Sequence, residues 1–149
     1  LGQANIPLIV TNHTYDVIGS YVPTKEMGGG SGLKYASSTI IYLSKKKEKD
    51  QSEVVGNIIK AKTAKSRLSK ENKEVNIRLY FDERGLDRYY GLLELGEIGG
   101  LWKNVAGRYE INGKKVYAKA IYKDPEDYFT EEILEKLDAI AKEEFSYGR

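Results

Sequence analysis

The chain has 149 residues, with 24 Lys and Arg against 22 Asp and Glu, a net charge of +2, no cysteine and one histidine. That length permits one ordinary domain or two small ones with a real core. Without cysteine there is no disulfide scaffold, a lone histidine leaves no zinc site of the usual Cys/His kind, and no apolar run is long enough to span a bilayer. The near-balance of charge hides an asymmetry. Residues 1 to 81 carry 13 basic against 7 acidic side chains, and residues 82 to 149 carry 11 against 15. A basic portion attracts phosphate backbones, and it can equally be an ordinary solvated face. The first residue is Leu1, so the sequence reads as a piece of something longer.

In chain order, Pro7-Leu8-Ile9-Val10 is a short continuous apolar run. It predicts a strand buried on both faces, as in parallel sheets. Ligands of open parallel sheets sit beyond the carboxyl ends of the strands, and this end carries Asn12 and His13, which can equally serve only to hydrogen-bond the neighbouring loop. Thr14 to Gly30 has no regular period and predicts a long loop. It interleaves Tyr15, Ile18, Tyr21, Val22 and Met27 with Lys25, which suits splayed bases of a single strand, a lid or a protein-docking loop. Gly28-Gly29-Gly30-Ser31-Gly32-Leu33-Lys34 has the glycines and lysine of a phosphate cradle. Leu33, however, separates the last glycine from the lysine, and Tyr35 stands where the magnesium-holding hydroxyl belongs, so the P-loop pattern fails.

Ser38 to Leu43 predicts a strand, Lys45 to Ser52 a charged basic tip, and Glu53 to Lys60 the returning strand of a hairpin. Lys60, Lys62, Lys65, Arg67, Lys70 and Lys73 then form a basic stretch placed between strands. Val75 to Phe81 alternates and predicts a strand closing the sheet, turned by Asp82-Glu83-Arg84-Gly85. A domain boundary is expected there, giving 1–85 and 86–149. Leu86 to Leu95 predicts a helix stopped by Gly96, and Asn112-Gly113 predicts a hairpin turn. Asp124-Pro125-Glu126-Asp127 predicts a helix start, and Ile133, Leu137, Ile140, Ala141 and Phe145 form its apolar stripe, expected to pack on Trp102 and the hairpin.

Several of these stretches resemble one family. Asn12-His13-Thr14-Tyr15 at a strand end, Ile18-Gly19, the Met27-Gly28-Gly29-Gly30 run, Leu33-Lys34-Tyr35-Ala36-Ser37, Lys65-Ser66-Arg67 and Tyr90-Gly91-Leu92-Leu93 are similar to the RecA/UvsX family of strand-exchange recombinases, and to its phage branch most closely. The resemblance covers most of the chain and begins mid-domain, without the family's nucleotide-binding half. It implies an α/β fold: the C-terminal half of a RecA-type ATPase core sheet including DNA-binding loop 2, followed by a small α+β domain.

The same resemblance implies roles. Asn12 and His13 would sense nucleotide state. Ile18, Gly19, Lys25, Gly28, Gly29, Gly30 and Lys34 would contact single-stranded DNA, although Tyr15 and Val17 stand where bacterial relatives carry cations. Lys65 and Arg67, with Lys60 and Lys62 as competitors, would reach the terminal phosphate of ATP held by the adjacent subunit. Identical subunits would form a helical filament, in the cytoplasm of an infected bacterial host and not on a membrane. ATP and Mg2+ belong to the whole protein; this piece is expected to bind neither alone and to turn over no ATP. Two other classes share these features: a piece of a RecA-fold helicase motor, and a non-catalytic binding or assembly module.

Overall fold

A computed structural model describes residues 6–17, 25–111 and 113–147. The chain divides into two compact units, Leu1–Ser37 and Ser38–Arg149, and each is described by itself.

In the first unit, residues 6–13 have no regular structure. Leu8, Ile9 and Val10 are exposed, Ile9 by 92%. The buried parallel strand expected at Pro7–Val10 is therefore absent. Such a strand needs hydrogen-bonding neighbours, and no described strand pairs with this run. Within the expected loop, β1 (Thr14–Asp16) pairs antiparallel with β2 (Lys25–Met27), Thr14 opposite Met27 and Asp16 opposite Lys25. Beyond it the glycine run opens a helix, α1 (Gly30–Ala36), where the sequence suggested an approach to the next strand. Gly29 and Gly30 have φ of +91° and +72°, which favour glycine. Ser37 closes α1, its N–H and Oγ both donating to the Leu33 carbonyl.

The second unit opens with an antiparallel sheet in the order β3 (Thr39–Asp50), β4 (Glu53–Ser66), β5 (Glu74–Tyr80). The hairpin is longer than expected. Lys45 to Asp50 lie within β3, and the turn is only Gln51-Ser52, with Gln51 at a φ of +53°. Lys60, Lys62 and Lys65 likewise belong to β4 and not to a connection between strands. At Gly56 in β4 the backbone of β5 leaves no room for a side chain: a Cβ there would lie 2.4 Å from the Leu79 carbonyl oxygen. Successive residues alternate between faces, so Ile41 and Leu43 share one face with Ala61 and Val75, while Lys60 and Lys62 share the other with Glu74, Asn76 and Arg78. Ile41 and Leu43 are exposed.

The turn after β5 forms as expected, with Gly85 N–H donating to the Asp82 carbonyl. The helix placed at Leu86 to Leu95 begins later, as α2 (Leu92–Ile98) behind Gly91. Residues 87–90 are drawn instead onto β5: Asp87 N–H donates to the Arg78 carbonyl, and Asp87 Oδ1 accepts from the Tyr89 and Tyr90 amides. Gly96 does not stop α2 but lies buried inside it, because a Cβ there would sit 2.0 Å from the Trp102 ring. Gly99 is the residue at the helix end.

A second small sheet follows: β6 (Lys103–Val105), β7 (Arg108–Ile111) and β8 (Lys114–Tyr117). Its β7–β8 turn is the hairpin expected at Asn112-Gly113. Asn112 lies outside the described residues, and Gly113 has a φ of +74°. After α3 (Ala118–Ile121), Pro125–Asp127 form a single 3-10 turn, and the last helix, α4 (Glu131–Phe145), starts only behind Thr130. The delay has a packing cause. Phe129 must turn inward, where it stacks on Tyr89 at 5.5 Å and meets Trp102 edge-on at 6.2 Å.

Leu93, Trp102, Tyr109, Ile111, Ile121, Phe129 and Leu137 form one buried cluster, with Ile133 packed against it. The indole of Trp102 is 4% exposed and donates to the Leu93 carbonyl at 2.7 Å, so it is core, as the sequence suggested. Burying each of Leu93, Ile121 and Leu137 contributes about 1.5–3 kcal/mol. Among the described residues no helix is long and apolar enough to cross a membrane.

Candidate nucleic-acid and phosphate-contact residues

Asn12, His13 and Gly28, chosen from sequence for separate reasons, meet in one clasp. Asn12 Nδ2 donates to the Gly28 carbonyl at 2.6 Å, Asn12 Oδ1 accepts from His13 N–H at 2.8 Å, and Gly28 N–H donates to the His13 carbonyl at 3.1 Å. The clasp lies at the base of the β1–β2 ribbon, next to the Thr14–Met27 pair. A Cβ at Gly28 would approach the Tyr15 ring to 3.0 Å, so the absence of a side chain permits the closure. His13 itself is exposed.

Lys25 sits on β2 with its ammonium 4.0 Å from Asp16, both well exposed, a pairing worth little in water. Lys34 lies exposed on α1, two residues after Gly32. Ile18 and Gly19 lie outside the described residues. The ribbon therefore brings together the ends of the expected DNA loop.

The competing phosphate candidates separate in the second unit. Lys60 Nζ lies 2.6 Å from one Glu74 oxygen and Lys62 Nζ 3.6 Å from the other. Hydrogen bonding from Lys60, with the nearby lysine charges, holds the Glu74 carboxyl below the usual carboxylate range. One carboxylate thus offsets part of the charge of both lysines. Lys65 is half-buried at the end of β4, and Arg67 is exposed just beyond it, its N–H donating to the Ser38 carbonyl at 3.0 Å.

The segment carrying Arg67 is tightly folded. Ser66 Oγ accepts from the amides of Leu68 and Ser69 and from Ser69 Oγ, and Ser66 N–H donates to Glu71 Oε1 at 2.9 Å. Asn72, at a φ of +59°, donates its N–H to the Thr63 carbonyl, and Thr63 N–H donates to the Lys73 carbonyl. These bonds fix the backbone from which the Arg67 side chain leaves. Phosphate oxygens suit this set of amines and guanidinium. No three histidine or acidic side chains among the described residues gather in a way that could hold a metal ion.

Two groups escaped the sequence reading. Glu74 lies between the basic stretch and the alternating run and drew no reading of its own, and its link to both lysines depends on the β4–β5 register. Arg78 was read as the polar position of an alternating strand, yet it is buried. Its Nε and Nη2 donate to Asp87 Oδ2 at 2.9 and 2.6 Å, Glu48 lies 3.5 Å away, and the guanidinium stands 4.5 Å from the Tyr90 ring centre and 4.9 Å from that of Tyr122. Burial opposes its charge, but the Asp87 hydrogen bond and surrounding negative charge outweigh it and raise the guanidinium's pKa. Burial also pushes the Tyr122 phenol well above its ordinary range.

A recombination and repair protein of Enterobacteria phage T4 is 38% identical to this chain over 106 residues, covering 70% of this chain and 27% of the relative. The chain thus spans about a quarter of the length of the curated relative it matches. No family model matches it.

Proposed function

We propose that this chain is the C-terminal part of a phage RecA/UvsX-type recombinase that forms ATP-dependent filaments on single-stranded DNA. In this reading the chain supplies the second DNA-binding loop, the nucleotide sensor and phosphate contacts to a neighbouring subunit. The observation that carries it is the Asn12–His13–Gly28 clasp, which joins the exposed His13 to the base of a ribbon closing on a glycine run. Similarity to a phage recombination and repair protein supports the same direction. So do the exposed Leu8, Ile9 and Val10 and the exposed Ile41 and Leu43 on edge strand β3, which suit a larger sheet completed elsewhere.

The residues then act as follows. His13 donates a hydrogen bond to a terminal phosphate at the end of the completed sheet. Because its carbonyl accepts from Gly28 N–H, a shift of His13 moves the ribbon base and re-aims the backbone amides of Gly28, Gly29 and Gly30 and the Lys25 and Lys34 ammonium groups. This is nucleotide-gated ordering of a segment, with the histidine as its switch. In the neighbouring subunit's site, Lys65 and Arg67 stabilise charge developing on the transferred phosphoryl group. Lys60 and Lys62, the competing candidates, both pair with Glu74.

The DNA-contact assignment is tested by the salt dependence of single-strand binding. Removing one cation from a strand phosphate reduces the slope of log affinity against log salt by about 0.7. Lys25→Ala/Lys34→Ala in the recombinase is expected to lower that slope by about 1.4. An unchanged slope and affinity would remove both lysines from the DNA interface.

A further inference from the structure

The turn that carries Arg67 is also fastened to the far end of the chain. Lys70 N–H donates to the Phe145 carbonyl at 2.9 Å, and Lys70 Nζ donates to the Glu143 carbonyl at 2.9 Å. Lys73 Nζ pairs with the Glu144 carboxylate. These carbonyls belong to the last turn of α4, whose final carbonyl groups have no partner within the helix and lie at the negative end of its dipole. A lysine amide and one ammonium group therefore cap α4 from a different element, and a second ammonium pairs with its Glu144 side chain. Both partners of the Lys73–Glu144 pair are mostly shielded, their side chains 32% and 25% exposed. The Lys73 hydrogen bond holds the Glu144 carboxyl below its usual range.

From Ser66 to Lys73 the turn has few independent movements. Its first half is wound around Ser66 Oγ, and its second half is pinned to Thr63 in β4 and to α4. A displacement of the α4 end would be passed through Lys70 and Lys73 to Arg67, three residues before Lys70. We propose that Lys70 and Lys73 are positioning residues. By fastening the 66–73 turn to the C-terminal end of α4, they set where Lys65 and Arg67 stand, so that the placement of α4 governs the phosphate contact between subunits. The proposal rests on the role given above to Lys65 and Arg67.

The test is a charge swap read in two ways. In the recombinase, DNA-dependent ATP turnover is measured for Lys73→Glu, Glu144→Lys, the double swap and Lys73→Arg, beside Lys65→Ala/Arg67→Ala. Each single reversal is expected to lower kcat about tenfold or more with little change in KM, as misplacing a group that acts in the transition state does. The swap and Lys73→Arg should recover most of that loss. In the 149-residue chain, amide exchange at Lys70 should accelerate in each single reversal and slow again in the swap. If the reversals turn over like wild type while Lys65→Ala/Arg67→Ala is inactive, the positioning role is overturned and the phosphate role stands. If Lys65→Ala/Arg67→Ala is also fully active, the phosphate role fails and the positioning role with it. A swap as impaired as the single reversals also overturns the positioning role.

Discussion

Replacing Lys65 and Arg67 together by alanine is expected to lower DNA-stimulated ATP turnover of the recombinase by about a thousandfold, the lower range for cations supplied in trans to phosphoryl transfer. The two positions differ in their surroundings. Lys65 is half-buried at the end of β4, whereas Arg67 is exposed with its backbone tied to Ser38. Arg67 is therefore expected to carry the larger share, because a planar guanidinium can engage two phosphate oxygens at once. Arg67→Lys should recover only part of the activity. Lys60→Ala or Lys62→Ala, each removing a partner of Glu74, should cost much less if Lys65 and Arg67 make the phosphate contact. Steady-state turnover at saturating single-stranded DNA separates these cases. A Lys60 or Lys62 variant as inactive as the Lys65/Arg67 pair would move the phosphate contact further back along β4.

The second large effect is structural. Arg78→Ala is expected to destabilise the chain by about 3–5 kcal/mol, because one partner of a buried, hydrogen-bonded ion pair is removed. Without the guanidinium, Asp87 keeps the amides of Tyr89 and Tyr90 on Oδ1, while Oδ2 loses both of its donors. The rings of Tyr90 and Tyr122 lose the cation between them as well. The link from β5 to residues 87–90 then loosens, and with it the approach to α2. Removing Asp87 in the Arg78→Ala background should cost far less than removing it alone, since the orphaned carboxylate goes with it. Urea unfolding of the four chains of this cycle provides the comparison. Additive losses, or a loss below about 1 kcal/mol for Arg78→Ala, would show that Arg78 does not hold this joint.

Patterns local to a few residues were legible in the sequence. The β-branched run near Thr39, the alternation of Val75 to Phe81, the Asn112-Gly113 turn and the α4 stripe each state their own geometry, and each element is present. Trp102 was legible as core because a large ring beside apolar periodicity is best accommodated there. What failed required partners distant in sequence. Pro7–Val10 has the composition of a buried strand, but composition does not supply neighbours, and the run is exposed. Gly96 has the ordinary look of a helix stop. Only the indole of Trp102 against it explains why a glycine stands inside α2. Asp124 and Pro125 look like a helix start, but the burial of Phe129 breaks the chain there first.

The candidate site divides in the same way. Asn12, His13 and Gly28 were chosen as individual residues, and the hydrogen bonds joining them follow from the β1–β2 register, which a stretch lacking regular period did not reveal. The neutralising role of Glu74 follows from the β4–β5 register. The hold of α4 on Lys70 and Lys73 spans more than seventy residues of sequence and has no local signature.

The most direct test of the central claim is single-stranded DNA binding by the recombinase, followed by fluorescence anisotropy with and without ATP, for wild type and His13→Ala. If the histidine couples the terminal phosphate to the ribbon, His13→Ala retains binding without ATP and loses the strengthening that ATP gives the wild type. If His13→Ala responds to ATP as the wild type does, the clasp at Asn12, His13 and Gly28 is a structural feature of the loop and not a nucleotide switch.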